Sequence, residues 1–283
     1  MARNASNSAS PDPEFDRLVA GDARADVTRI ALEIARDAYP DLQIEPALRV
    51  IDELAARVRD RCPAESKVRH VLGQINWVLY VEEGYHGNTD EYYDPKNSYL
   101  NEVIERKTGI PISMAVLYRA IAERVGLKLD GANLPSHFML RLGEQGGEPL
   151  FVDAFAGGDL LDRRGCQQRL LERTGHPVIL SQVQLEACST TTIVGRILLN
   201  LKGIHIQAGD YASALPVQQR LARLNSDDPT ESRDLGMIHL QLDQPGRAIQ
   251  PIERYLAARP EAEDGPAVRA LLAAAWREVA RLN

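Results

Sequence analysis

The sequence predicts an α+β domain, with a helical N-terminal part and a small antiparallel sheet, followed by an all-α helical domain. Three observations carry that prediction. Apolar residues recur at helical spacing from Val27 to Leu79. A period of two appears only between Leu127 and Leu160, the pattern of strands with a buried face. Helical periodicity then returns for the last third of the chain and brings an internal repeat with it. Helices followed by a few antiparallel strands make an α+β arrangement.

Residues 1–13 are small and polar with two prolines, and they are expected to form a disordered tail. Val27, Ile30, Ala31, Ile34, Ala35 and Ala38 form the first helical stripe, which Pro40 ends. Ala47, Val50, Ile51, Leu54, Ala55 and Val58 form the second, behind Pro46 in its first turn. The third runs through Val68, Val71, Leu72, Ile75 and Leu79 and dissolves at Glu83-Gly84. Gly84 to Asn97 is polar and tyrosine-containing, fits no period, and reads as a loop. Helices resume over Leu100–Lys107 and, after Pro111, over Ile112–Val125, where Gly126 suits a left-handed C-terminus.

His137 to Leu142 and Leu150 to Phe155 alternate as strands, and Gly143–Glu148 supplies the turn of a hairpin between them. This first domain is assigned to residues 14–190, and the helical domain to residues 191–283. Within the latter, Ala214 and Ala248 are 34 residues apart, the period of a tetratricopeptide repeat. Gly236, Tyr255 and Pro260 fall where that repeat wants them around Ala248, and Ala270–Leu282 would cap the array.

Charge and cysteine content exclude several functions. Lys+Arg 33 against Asp+Glu 40 leaves a net charge of −7 and a pI near 5.5. No basic field exists to displace counterions from phosphates, so nucleic acid is not an expected partner. Three cysteines without paired spacing argue against a disulfide framework or a zinc site. The histidines form no ligand cluster, and no cofactor is expected. No apolar run reaches the length of a bilayer span and no apolar leader opens the chain, so a cytoplasmic protein that binds no membrane is expected.

Chemistry concentrates in the hairpin. A turn centred on Gln145 would make His137 and Asp153 face each other directly, with side chains about 5 Å apart on one face. The carboxylate could then hold the imidazole tautomer and leave the other ring nitrogen as a base. A nucleophile would belong at the start of the helix behind Thr108-Gly109-Ile110-Pro111. No cysteine stands there, and Ser113 is the nearest hydroxyl. It would need His137 as its base, and its simpler role is to bond backbone groups in the first helical turn.

The ordered set Tyr93-Asp94-Pro95-Lys96-Asn97-Ser98-Tyr99-Leu100-Asn101, Arg106-Lys107-Thr108-Gly109-Ile110-Pro111-Ile112-Ser113, Leu134-Pro135-Ser136-His137-Phe138 and Val152-Asp153-Ala154-Phe155-Ala156-Gly157-Gly158 resembles the N-terminal domain of the SirB-type family. That family belongs to the transglutaminase-like, papain-related superfamily and commonly carries tetratricopeptide repeats after this domain. The resemblance implies that His137 and Asp153 take the histidine and aspartate positions of the superfamily's catalytic triad. Gly109 and Ala115 fit the frame around its cysteine, and Pro111 stands at the nucleophile position itself. The resemblance therefore implies a protein-interaction or regulatory module on a scaffold without its usual thiol, with the repeats and cleft binding a peptide or protein. The alternative is an atypical hydrolase or acyl-transferase that uses Ser113, His137 and Asp153.

Overall fold

The computed structural model describes residues 12–143 and 148–282. The expected tail falls on residues 1–11, outside the described residues, apart from Asp12 and Pro13. Pro13 already lies in a helix, α1 (Pro13–Val19). Its first-turn amides are met by a buried carboxylate of the next helix: Glu14 and Phe15 donate their N–H groups to Glu33 at 3.0 and 2.8 Å. That next helix is α2 (Val27–Ala35), capped by the Asp26 side chain, and it is followed by α3 (Ile44–Asp60). Ile44, Leu48, Ile51, Leu54, Ala55 and Val58 bury one stripe of α3, whereas Ala47 and Val50 of the expected stripe are half-buried and exposed, because the buried face takes in Ile44 and Leu48 instead.

The fourth helix, α4 (Val68–Asn76), runs directly into a π-helical segment, Trp77–Glu82. The segment 84–97 is not wholly loop. Its strand β1 (His86–Gly87) pairs in parallel with β2 (Thr108–Gly109), and Pro95–Asn97 forms a 3-10 turn capped by Asp94. Between them lies α5 (Leu100–Arg106), which ends on Lys107 at φ 56°. A Cβ on Gly87 would lie 2.5 Å from the Phe155 ring, so only glycine allows this close approach. The helix α6 (Pro111–Arg124) is apolar all round and packs against α2, α3, α4 and α5. Gly126 follows it at φ +80°.

Four strands then form an antiparallel meander in the order β3-β4-β5-β6: β3 (Leu129–Leu134), β4 (His137–Leu142), β5 (Leu150–Asp153) and β6 (Asp159–Leu161). The expected second strand stops two residues early, because Asp153 bends the chain into a 3-10 turn, Ala154–Ala156, by accepting from the Phe155 and Ala156 amides. One sheet face carries Ala132, Leu134, Met139 and Phe151 in a buried cluster with Cys166 and Leu170 of α7 (Arg163–Thr174). Leu180 and Leu185, the latter in α8 (Gln182–Leu185), complete the cluster. The alternate residues Phe138, Leu140 and Val152 are buried too, and α6 packs on β3 and β4.

The chain divides into two compact units, Met1–Ile197 and Leu198–Asn283, and the division falls inside α9 (Thr190–Gln207). The second unit continues as α10 (Tyr211–Leu224), α11 (Pro229–Gln241), α12 (Pro245–Ala258) and α13 (Gly265–Leu282). The last helix begins five residues before the expected capping helix. Ala248, Ile252, Tyr255 and Val268 form the buried cluster of this unit. A Cβ on Gly236 would meet Ile252 Cγ1 at 2.5 Å, so the small residue in α11 permits close packing of α12.

Candidate functional site

Two of the three expected site residues meet. His137, at the start of β4, is 1% exposed; Asp153, at the end of β5, is fully buried. His137 Nε2 lies 3.0 Å from Asp153 Oδ1. They reach each other in a register different from the expected one. Leu140 faces Val152 and Arg141 faces Phe151, so continuing the ladder sets Asp153 opposite Met139. The strands are offset by two residues from a direct His137–Asp153 pair. An even offset keeps both side chains on one face, as diagonal neighbours. The expected turn centre, Gln145, lies outside the described residues.

The carboxylate is held from every side. Oδ1 also accepts from the amides of Phe155 and Ala156 at 3.2 and 3.3 Å, and Oδ2 accepts from Arg169 Nη1 of α7 at 2.9 Å. Burial pushes the Asp153 carboxyl up. The hydrogen bond and charge of His137, the Arg169 charge and the Ala156 amide together outweigh burial and hold it below the usual aspartate value. An ionised Asp153 fixes the His137 proton on Nε2, which leaves Nδ1 as the basic nitrogen. That Nδ1 is buried and finds no hydrogen-bond partner among the described residues.

Sequence reasoning did not single out the supports of this dyad. Arg169 joins Asp153 to Asp159, which accepts from its Nη2 at 2.7 Å. Tyr80, in the π-helical segment, donates to the Ala154 carbonyl at 2.7 Å, and Asn76 Nδ2 donates to the Gly158 carbonyl at 3.0 Å. Tyr118 of α6 donates to Asn76 Oδ1 at 2.7 Å. The loop behind Asp153 is thereby tied to α4 and α6. No local period announces such contacts; only a buried tyrosine needing a partner for its hydroxyl was available as a signal.

Ser113 is not part of the cluster. Its Oγ donates to the Asn97 and Ile110 carbonyls and accepts from the Ile110 amide at 3.1 Å. Ser113 is buried, and neither ring nitrogen of His137 bonds to it. It therefore takes the simpler of its two expected roles, closing the first turn of α6. No thiol replaces it. Cys166 is buried in α7 with Sγ 3.5 Å from Met139 Sδ, and burial, with the Asp153 charge adding to it, pushes its pKa up to about 12. Cys188 is pushed up to about 11, chiefly by burial, and Cys62 is raised by burial as well. Among the described residues, no three His, Cys, Asp or Glu side chains converge as a metal site.

The dyad borders an open cleft of about 480 Å3. Ser136 and Phe155 line it, and each is a direct neighbour of His137: Ser136 precedes it in the chain, and the Phe155 ring meets the imidazole edge-on at 6.1 Å. Ser136 takes a left-handed φ of 56° in the tight turn between β3 and β4.

The model of the transglutaminase-like superfamily matches residues 45–199, and a tetratricopeptide repeat model matches residues 201–273. A UPF0162 protein of Xylella fastidiosa is 35% identical over 243 residues, covering 84% of this chain and 86% of that protein. A UPF0162 protein of Vibrio cholerae is 29% identical over 245 residues, covering 87% and 88% respectively. Human F-box only protein 21 is 40% identical over 104 residues, which make up 34% of this chain and 17% of that protein. Among solved structures, menin aligns with a TM-score of 0.47 at 12% identity, over 95% of this chain and 65% of that one, too loose a likeness to carry an argument.

Proposed function

The chain belongs to the transglutaminase-like superfamily and continues into tetratricopeptide repeats, and from that premise we propose that it is a cytoplasmic protein-interaction and regulatory module whose transglutaminase-like scaffold has no working nucleophile. The observation that carries this proposal is the commitment of Ser113. Its hydroxyl proton goes to backbone carbonyls, while His137 Nδ1, the nitrogen that would take it, has no partner among the described residues. Acyl transfer needs the nucleophile and base within hydrogen-bond reach. The alternative triad of Ser113, His137 and Asp153 lacks that link. The buried, weakly acidic Cys166 offers no substitute. Three free thiols suit a reducing compartment.

Repeats of this kind present surfaces to peptides and partner helices. The second unit has a groove of about 440 Å3 that includes Tyr211, Met237, Ile238 and Leu271. Two measurements test the proposal together. A fluorophosphonate and a thiol-directed acyl probe should leave Ser113 and the three cysteines of the folded chain unlabelled. Labelling of wild type that disappears in Ser113→Ala would make the protein an enzyme instead. Immobilised full chain should retain a protein from lysate that Met237→Glu releases; equal retention by both would move binding away from the groove.

A further inference from the structure

Among the described residues, two arginines in the cleft beside the dyad have no acidic partner. Arg173 of α7 donates from Nε to the Ser136 carbonyl at 3.1 Å, and its guanidinium lies 4.8 Å from the centre of the Tyr92 ring and 5.3 Å from that of Phe155. Arg196 donates from Nη1 to Asn133 Oδ1 at 2.9 Å. Neither forms an ion pair among the described residues, whereas Arg57, Arg61, Arg169 and Arg233 all engage carboxylates. Both line the cleft with Tyr92, Ser136, Phe155 and Thr174, and no Asp or Glu is among its lining residues.

Two cations set close together without a counter-charge cost free energy that a bound anion would recover. Burial, with the Arg173 charge adding to it, holds the Arg196 guanidinium below its ordinary value. The remaining N–H groups of the two forks, together with the Ser136 hydroxyl, are donors suited to a planar or tetrahedral oxyanion, while the Thr174 hydroxyl is already given to the Leu170 carbonyl at 2.8 Å. The Tyr92 and Phe155 rings already hold Arg173 by cation–π contact, so less side-chain entropy is lost on binding. A protein of net charge −7 repels anions at long range, so capture must be local to this cleft.

We propose that the Arg173–Arg196 cleft binds an oxyanion carried by a peptide, either the carboxylate of an acidic residue or the phosphate of a modified one. This deepens the interaction-module proposal by naming the chemistry that the first unit would recognise. The full chain is titrated, at low and high salt, into fluorescein-labelled tetraglutamate and into a labelled phosphoserine tetrapeptide, with tetralysine and an oligothymidylate as controls. At least one anionic peptide should bind, more weakly as salt rises, and the tighter of the two identifies the source of the anion. Arg173→Gln/Arg196→Gln should weaken it by about tenfold or more, the loss expected when charged hydrogen bonds are removed.

In the wild-type chain, phenylglyoxal should modify Arg173 and Arg196, and saturating peptide should protect both, a readout that does not depend on the variants folding. Four outcomes overturn the proposal: no anionic peptide bound at about 1 mM, equal affinity in a folded double variant, no protection of the two arginines, or tighter binding of the oligothymidylate. Any of them leaves the probe and groove measurements of the broader proposal untouched, so the two can fail separately.

Discussion

At Asp153 two carboxylate oxygens meet four donors: the His137 ring, the Arg169 guanidinium and the amides of Phe155 and Ala156. Asp153→Ala leaves the buried His137 imidazole without its partner and takes one of two carboxylates from the half-buried Arg169, and should cost about 3 kcal/mol in urea unfolding. Folding lowers the Asp153 pKa. Its stabilisation is therefore complete above the ordinary aspartate value of about 3.9 and is lost as the pH falls through the lower folded value. Asp153→Asn cannot titrate, so the stability gap between it and wild type should shrink on acidification across that window. A gap that stays constant would show that Asp153 does not titrate as argued. Nearby, Gly157 and Gly158 both sit at positive φ, +69° and +79°, but only a Cβ on Gly158 would collide, 2.0 Å from Asn76 Oδ1. Gly157→Ala should cost about 1 kcal/mol from the backbone alone, and Gly158→Ala about 2–3 kcal/mol. The dyad was legible in the sequence because side-chain parity survives an offset of two residues, although the register itself did not. Arg169 was not legible, since what places it is the packing of α7 on the sheet rather than any spacing in the chain.

Among the elements, the long helices were readable wherever one face is buried and the other wet, as in α3. The π-helical continuation of α4 was not, because a π turn and an α turn share the same apolar residues and differ only in hydrogen-bond register. Strands β1 and β2 are two residues each, too short to show a period. In β3, Asp130 and Asn133 interrupt the apolar residues that the sheet buries. In the second unit, the glycine expected from the repeat pattern has a packing reason that can be tested. Gly236→Ala should destabilise the unit by about 1–3 kcal/mol through its collision with Ile252. Gly203→Ala in α9 meets nothing within 4 Å and should stabilise by up to about 1 kcal/mol. Urea unfolding followed by circular dichroism reads both, and equal shifts would remove the packing argument.

Over the whole molecule, the order of helices, sheet and repeats was legible because each has its own period. The site was only half legible, because the sequence reveals an empty nucleophile position more readily than the contacts that occupy Ser113. One property of α6 reaches beyond the finished fold. From Pro111 to Ala122 nearly every side chain is buried, and β4 is among the elements that cover it. During synthesis the helix leaves the ribosome before that strand does. At ordinary elongation rates the interval between Arg124 and Leu142 lasts roughly one to four seconds. For that time the helix's apolar surface stands without the strand that later covers part of it.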